Sequence, residues 1–262
     1  MTTRHTLLFR LIGPMQSWGY RSRFEDRDTG LEPTRSGVFG LLASACGIER
    51  GDIKTLQRWD EALRFGVRVD LPKMSSALGE KSGFRIETDF HTAQDVLRAT
   101  GKGTADTVLS RRHYLTDARY TVGLESSDLA LLQGLEAALK SPVWTLCLGR
   151  KSFPLSLPPW LPKGGLREES GLLEALKSAP FPLFTSREAL PTSLAFVLEP
   201  DPTFEAEIEA MGNLIPMRLA DRPLDFNSET RRFGLREVAH FRLDLEKCTE
   251  SGLEADPCFS QK

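Results

Sequence analysis

Six arginines and two aromatic residues carry the first candidate chemistry. Arg21, Arg23, Arg27 and Arg35 follow Trp18 in one polar stretch, while Arg111 and Arg112 stand just before Tyr114 much later in the chain. Guanidinium forks bind phosphate and base edges bidentately, and aromatic rings stack on unpaired bases, so this set is suited to single-stranded RNA. Two glycine-bearing segments frame it: Gly13-Pro14-Met15-Gln16-Ser17-Trp18-Gly19 and Pro33-Thr34-Arg35-Ser36-Gly37. The second opens a helix, whose free N–H groups and positive dipole end favour a phosphate, and glycine allows a close backbone approach. The plainer alternative is a core Trp18 and solvated arginines.

A competing chemistry is acid–base cleavage of RNA by His91, His113 and Tyr114, since metal-independent ribonucleases use such side chains as acid, base and charge stabiliser. Lone histidines beside strands carry little weight for it. Gly101-Lys102-Gly103-Thr104 is not a phosphate loop, because Gly103 stands where GxxxxGK[ST] requires Ser or Thr. The aromatic octapeptide of ordinary RNA-recognition motifs is missing, so the sheet face is not expected to read bases in the usual way. With no HExxH or HxE pattern and no CxxC pair among Cys46, Cys147, Cys248 and Cys258, we expect no metal, no cofactor and no disulfide framework.

The elements that must position these residues follow from periodicity. Thr6 to Ile12 predicts a strand, ended by Gly13-Pro14, and Val38 to Cys46 a buried helix stopped by Gly47. A second helix begins at Asp52, with Ile53, Leu56, Trp59 and Leu63 at helical spacing, and Phe65 to Leu71 alternates as a strand. Lys73 to Ser110 predicts a long exposed hairpin with its tip around Ala99 to Asp106, an insertion large enough to be functional. A strand through Ala118, Tyr120, Val122 and Leu124, a helix capped by Ser126 or Ser127, and a strand from Val143 to Leu148 complete the series. This is a βαββαβ order, predicting an α+β chain with a ferredoxin-like (RNA-recognition-like) palm at 1–153 and an inserted thumb hairpin at about 73–112. A proline- and glycine-rich linker then leads to a small strand-rich C-terminal domain at 154–262, with a short helix at Glu168 to Ser178, strands at Ser193–Leu198 and Arg236–Leu245, and a frayed last dozen residues. In such a palm the end of the first strand, the start of the first helix and the root of the insertion share one edge, which brings the three odd segments together.

The formal charge of the 262 residues is only −2, yet its distribution is uneven. Residues 1–120 hold 19 Lys and Arg against 15 Asp and Glu (+4), and 121–262 hold 15 against 21 (−6). A field depends on where charges sit, so the total does not exclude nucleic acid. It argues for a short, defined grip and against coating long nucleic acid. No apolar run approaches the roughly 20 residues of a membrane span, and the start lacks a signal peptide's apolar core, so a cytoplasmic location is expected.

The glycine-rich segments above, with Gly40-Leu41-Leu42-Ala43, Phe90-His91-Thr92-Ala93-Gln94, Arg112-His113-Tyr114-Leu115-Thr116-Asp117-Ala118 and Leu148-Gly149-Arg150-Lys151-Ser152, closely resemble the CasD family in order and spacing. CasD is the type I-E CRISPR Cascade subunit that holds the 5′ handle of the guide RNA. The resemblance runs to about Ser152; beyond it Arg231-Arg232-Phe233 is the main echo. It implies a noncatalytic RNA-binding subunit of an antiviral ribonucleoprotein, docked on the backbone subunit through its thumb and on the large subunit elsewhere, and meeting target DNA only through the complex. The positions it assigns to handle contact are Gln16, Trp18, Arg27, Arg35, Ser36, Arg112, Tyr114 and Lys151, to which the Arg-Arg pair adds Arg111. Lys151 stands apart, because a strand ending there would lie at the opposite edge. Arg35 replaces the family's usual lysine, keeping the charge with a different hydrogen-bonding fork. The processing branch of the wider family cuts precursor RNA with a Tyr-Lys-His site whose tyrosine lies on the first helix. Ser36 to Ile48 contains no tyrosine, so the endoribonuclease alternative falls behind.

Overall fold

The computed structural model describes residues 3–19, 25–74, 81–82, 84–98, 100–182, 188–201, 214–226 and 232–248. Arg21, Arg23, Arg231 and the last dozen residues lie outside the described residues. In chain order the elements are β1 (His5–Ile12), β2 (Met15–Gln16), β3 (Asp26–Arg27), α1 (Arg35–Cys46), α2 (Ile53–Ala62), β4 (Arg64–Val69), β5 (Lys73–Met74), β6 (Lys81–Ser82), β7 (Arg85–Leu97), β8 (Thr104–Thr116) and β9 (Arg119–Ser126). After them come α3 (Leu129–Lys140), β10 (Leu166–Arg167), α4 (Leu172–Ser178), β11 (Glu188–Ala189), β12 (Ser193–Leu198), β13 (Ile215–Asp225) and β14 (Arg232–Asp244).

The main sheet has seven strands in the order β10-β1-β9-β4-β12-β14-β13, all paired antiparallel. β1 is buried on both faces because the sheet is covered on both sides. Leu7, Phe9 and Leu11 join Phe65, Val67, Val122 and Leu124 under α1 and α3, whereas Leu8 joins Phe196, Leu198 and Phe241 under α4. The helices begin where the sequence supplies a cap. Thr34 Oγ1 accepts from Gly37 N–H, and Asp52 and Asp128 carboxylates accept from Thr55 and Leu131 N–H. The cap of α3 is therefore Asp128, one residue beyond the expected serines.

α4 is held at both ends by charges on the sheet beneath it. Glu125 Oε2 accepts from Leu172 N–H at its N-terminus, and Arg68 Nη1 donates to the carbonyls of Leu176 and Ala179 at its C-terminus, both at 2.7 Å. Each charge opposes the nearer end of the helix dipole. The facing pair Gly66 and Gly123 lets α4 come this close, since a methyl group at either would strike Leu198 or Leu172.

Three sequence expectations change. Val143 to Leu148 forms no strand: the N–H groups of Val143 and Trp144 donate to the carbonyls of Ala45 and Ser44 at the end of α1, at 2.9 and 3.1 Å. Carbonyls in the last turn of a helix are open to outside donors, and these two capture the chain that leaves Pro142. The place beside β1 is taken by β10. The strands expected at Ser193–Leu198 and Arg236–Leu245 do form, and they extend the main sheet from β4 instead of standing apart from it. The predicted thumb is a hairpin of β7 and β8 whose turn lies between Leu97 and Thr104. It starts later and ends later than 73–112.

Candidate nucleic-acid interface

β8 is the strand that gathers the site. β7 pairs along one edge, and β2 and β3 pair along the other, with Gln16 opposite Leu115 and Arg27 opposite Arg112. Alternation along the hairpin separates its side chains into two faces. Asp89, Arg112 and Tyr114 share one, while Ile86, Phe90, Leu109, Arg111 and His113 share the other.

The loop between α3 and β10 comes back to this root. Ser17 N–H donates to the Leu148 carbonyl (3.1 Å), and Gly149 follows with φ +88°, where any Cβ would overlap the Ser17 carbonyl. Only glycine fits both the conformation and the contact. The turn delivers Arg150, whose Nη2 donates to the His113 carbonyl at 2.8 Å and to the Arg27 carbonyl at 3.3 Å. Its guanidinium lies 5.3 Å from the Phe153 ring centre, and the Tyr114 ring packs on the same phenylalanine at 5.7 Å. Partial burial, then repulsion from Arg112 and Arg27, pulls the Arg150 pKa below the ordinary arginine value, with Asp89 opposing. Three guanidiniums thus crowd one spot beside one carboxylate. Such a cluster has surplus positive charge and favours a bound anion.

The sequence-derived residues divide sharply. Arg27, Arg112 and Tyr114 come together, and Lys151, one residue beyond Arg150, lines a neighbouring groove because the strand expected to carry it to the opposite edge does not form. Arg111 is exposed on the opposite face of the hairpin. Ser36 is half-buried and faces a groove described below. Gln16, Trp18 and Arg35 are all buried and make contacts within the fold. Gln16 Nε2 donates to the carbonyls of Leu11 and Ala118, its Oε1 accepts from the Trp18 indole N–H at 3.1 Å, and the Trp18 ring packs where a Gly37 side chain would be. The Arg35 guanidinium pairs with Glu199 and Asp60 and donates to the carbonyls of Asp60 and Leu63.

The phosphate expected at the start of α1 has no vacancy either. Arg35 N–H donates to Asp221 Oδ2 at 2.8 Å, and Asp221 is itself paired with Arg236. Asp221 has no sequence signal that links it to the helix 186 residues earlier. Arg150 did have one, since it stands inside the Leu-Gly-Arg-Lys-Ser segment.

A groove of about 820 Å³ runs along α1 beside this cluster. Its floor includes Ser36, Gly37, Gly40 and Ser44, one wall is Trp144 to Lys151, and the other includes Phe226 and Phe233. Gly37 is explained by its contact with Trp18, but a Cβ on Gly40 would meet nothing within 4 Å. A glycine inside a helix costs about 1 kcal/mol relative to alanine.

His91 and His113 fall on opposite faces of the hairpin, with His113 Nδ1 2.8 Å from Thr88 Oγ1 and His91 beside Asp89. They do not converge on one scissile phosphate. Among the described residues no three His, Cys, Asp or Glu side chains form a metal-binding group, and no helix is long and apolar enough to cross a membrane.

Residues 6–239 match the model of the family described as "CRISPR-associated protein (Cas_Cas5)". The "CRISPR system Cascade subunit CasD" of Escherichia coli (strain K12) is 39% identical over 163 residues, which are 60% of this chain and 70% of that one. Among solved structures, a "Crystal structure of Cas protein" superposes with a TM-score of 0.65 at 36% identity, covering 95% of this chain and 100% of that chain. A chain of a "CRISPR RNA-guided surveillance complex" superposes with a TM-score of 0.64 at 29% identity, covering 92% of this chain and 90% of its own. By sequence across most of its length and by a shared mixed α+β, mostly antiparallel architecture, this chain belongs to the Cas5 family of CRISPR-associated proteins.

Proposed function

We propose that this chain is the noncatalytic subunit of a type I-E Cascade that grips the 5′ handle of the guide RNA. The observation that carries the reading is the Arg27, Arg112 and Arg150 cluster at the foot of the hairpin, in a chain 39% identical to a Cascade subunit. Its three forks meet a backbone phosphate, with Lys151 beside them and Tyr114 held against Phe153 behind. The β10-β1-β9-β4 order, the 4-1-3-2 order of a split βαβ sheet, supports a ferredoxin-like palm. We assign RNA to residues 1–153 and the acidic remainder to protein contact, including the large subunit. Target DNA is reached only through the complex, and the setting is the cytoplasm.

The hairpin supports docking on the backbone subunit: Ile86, Phe90 and Leu109 lie on one face and are all exposed, Phe90 at 62%. Phe90→Asp with Leu109→Asp is expected to abolish that docking and leave the fold intact; a doubly substituted chain that still assembles refutes the assignment.

The reading as a whole is tested by incubating the full chain, alone and with the backbone subunit, with repeat RNA that carries the handle. Tight binding with intact RNA is expected. Absence of binding in both settings sinks the proposal, and metal-free cleavage would revive the endoribonuclease, which the opposed histidines disfavour.

A further inference from the structure

Trp18 is 1% exposed, too buried for its ring to stack on a base, yet all three arginines of the anion cluster lie on chain segments that it holds. Its main-chain N–H donates to Thr29 Oγ1 at 2.9 Å, and its carbonyl accepts from Gly30 N–H at 2.7 Å. Those two bonds fix the short segment that follows Arg27. The indole N–H donates to Gln16 Oε1, and Gln16 pairs opposite Leu115 in β8, the strand that carries Arg112 and Tyr114. Between Gln16 and Trp18, Ser17 N–H donates to the Leu148 carbonyl, Ser17 Oγ donates to the His113 carbonyl at 3.3 Å, and the Ser17 carbonyl lies against Gly149. Arg150 leaves from that turn and reaches the same His113 carbonyl.

The indole is itself braced from both sides. A Cβ on Gly37 would come within 2.9 Å of Trp18 Cε3, so the first turn of α1 packs directly against the ring. Gln16, on the other side, is pinned by its bonds to the carbonyls of Leu11 and Ala118. Such bracing matters because Arg112 and Arg27 repel Arg150, and a binding constellation works only when its groups are held to within about 0.5 Å of the productive geometry. We propose that Trp18 is the positioning residue of the anion cluster: from inside the fold it sets the spacing of Arg27, Arg112 and Arg150, and it touches no nucleotide. The inference rests on the RNA-binding function proposed above and gives that site its internal support. Trp18 then acts on RNA through the arginines alone.

The test is a double-mutant cycle on the full chain, read as affinity for single-stranded RNA carrying the 5′ handle. Trp18→Phe is made in the wild type and in the variant with Arg27, Arg112 and Arg150 all changed to Ala; phenylalanine keeps a ring against Gly37 but loses the indole N–H. Gly37→Ala repeats the cycle from the helix side, where its methyl pushes the indole and alanine is the better helix former. It carries the test if Trp18→Phe does not fold, and thermal unfolding well above the assay temperature certifies each variant. Each is expected to weaken binding about tenfold in the wild type and less than about twofold in the triple alanine background, because no arginine is left to position. A merely structural role would lower the unfolding temperature and leave the affinity of the folded chain unchanged. Wild-type affinity in the folded variants overturns the inference, and so does an equal loss in both backgrounds, which would mean that Trp18 acts independently of the arginines; in either case a weakened triple alanine variant leaves the RNA-binding function standing. A wild type that binds no RNA, or a triple alanine variant that binds as tightly as the wild type, overturns both.

Discussion

Two populations of arginine sit within one chain and do opposite things. Arg35, Arg68 and Arg236 are buried where the C-terminal strands and α4 meet the N-terminal part of the main sheet, and each is answered by a carboxylate: Glu199 and Asp60, Asp70, and Asp221. Arg27, Arg112 and Arg150 stand at the foot of the hairpin, where Arg112 and Arg27 repel Arg150 and Asp89 is the carboxylate that opposes them. Guanidinium is equally charged in both places, so residue type alone says nothing about role. What differs is whether the chain supplies the counter-charge. Where it does, the arginine is a staple; where it does not, an anion must come from outside.

The sharpest way to break the comparison is through the staples. Arg68→Ala leaves Asp70 buried without its 2.6 Å partner and frees the last carbonyls of α4. A loss of about 3 to 5 kcal/mol is expected in denaturant unfolding. A loss below about 1 kcal/mol would mean that the buried pair is not structural. Next comes the open cluster: Arg27, Arg112 and Arg150 all changed to Ala are expected to lower affinity for handle RNA on the order of 100-fold, with unfolding within about 1 kcal/mol of wild type. If that triple variant unfolds like Arg68→Ala, the two populations are one. A finer cut is Arg150→Lys, which keeps the charge but loses the fork that reaches the carbonyls of His113 and Arg27. Binding about tenfold weaker is expected, with the salt slope of the wild type.

The smallest effect concerns a partly buried carboxylate. Burial pushes the Glu32 carboxyl above the ordinary range. Because its folded pKa is raised, its favourable contribution is complete below the unfolded pKa and is lost as pH rises through the folded value. Glu32→Gln is therefore expected to gain in melting temperature relative to wild type between pH 4 and pH 7. A gap that closes over that interval contradicts the assignment.

Much of this was legible in the sequence because periodicity and caps are local. Leu7, Phe9 and Leu11, the α1 run and the Leu132, Leu135, Leu139 stripe all form the elements their spacing predicts. Segments whose hydrogen bonds are decided at a distance were not legible. Val143 to Leu148 alternates like a strand, yet the carbonyls at the end of α1 claim it. β13 escaped because Pro216, Pro223 and its charged residues break the alternation, which an edge strand tolerates. The site divided in the same way. Arg112 and Tyr114 are placed by hairpin register, while the burial of Arg35 depends on Glu199 and Asp221, more than 160 residues away.

The salt dependence of RNA binding tests the central claim most directly, because it counts phosphates and ignores fold. For the wild type and the Arg27, Arg112, Arg150 triple alanine variant, log Kobs for handle RNA is plotted against log salt. Each phosphate contact on a single strand contributes about 0.7 to the slope, so loss of the one phosphate that the three forks meet predicts a reduction of about 0.7 for the variant. An unchanged slope would show that these three arginines hold no RNA phosphate.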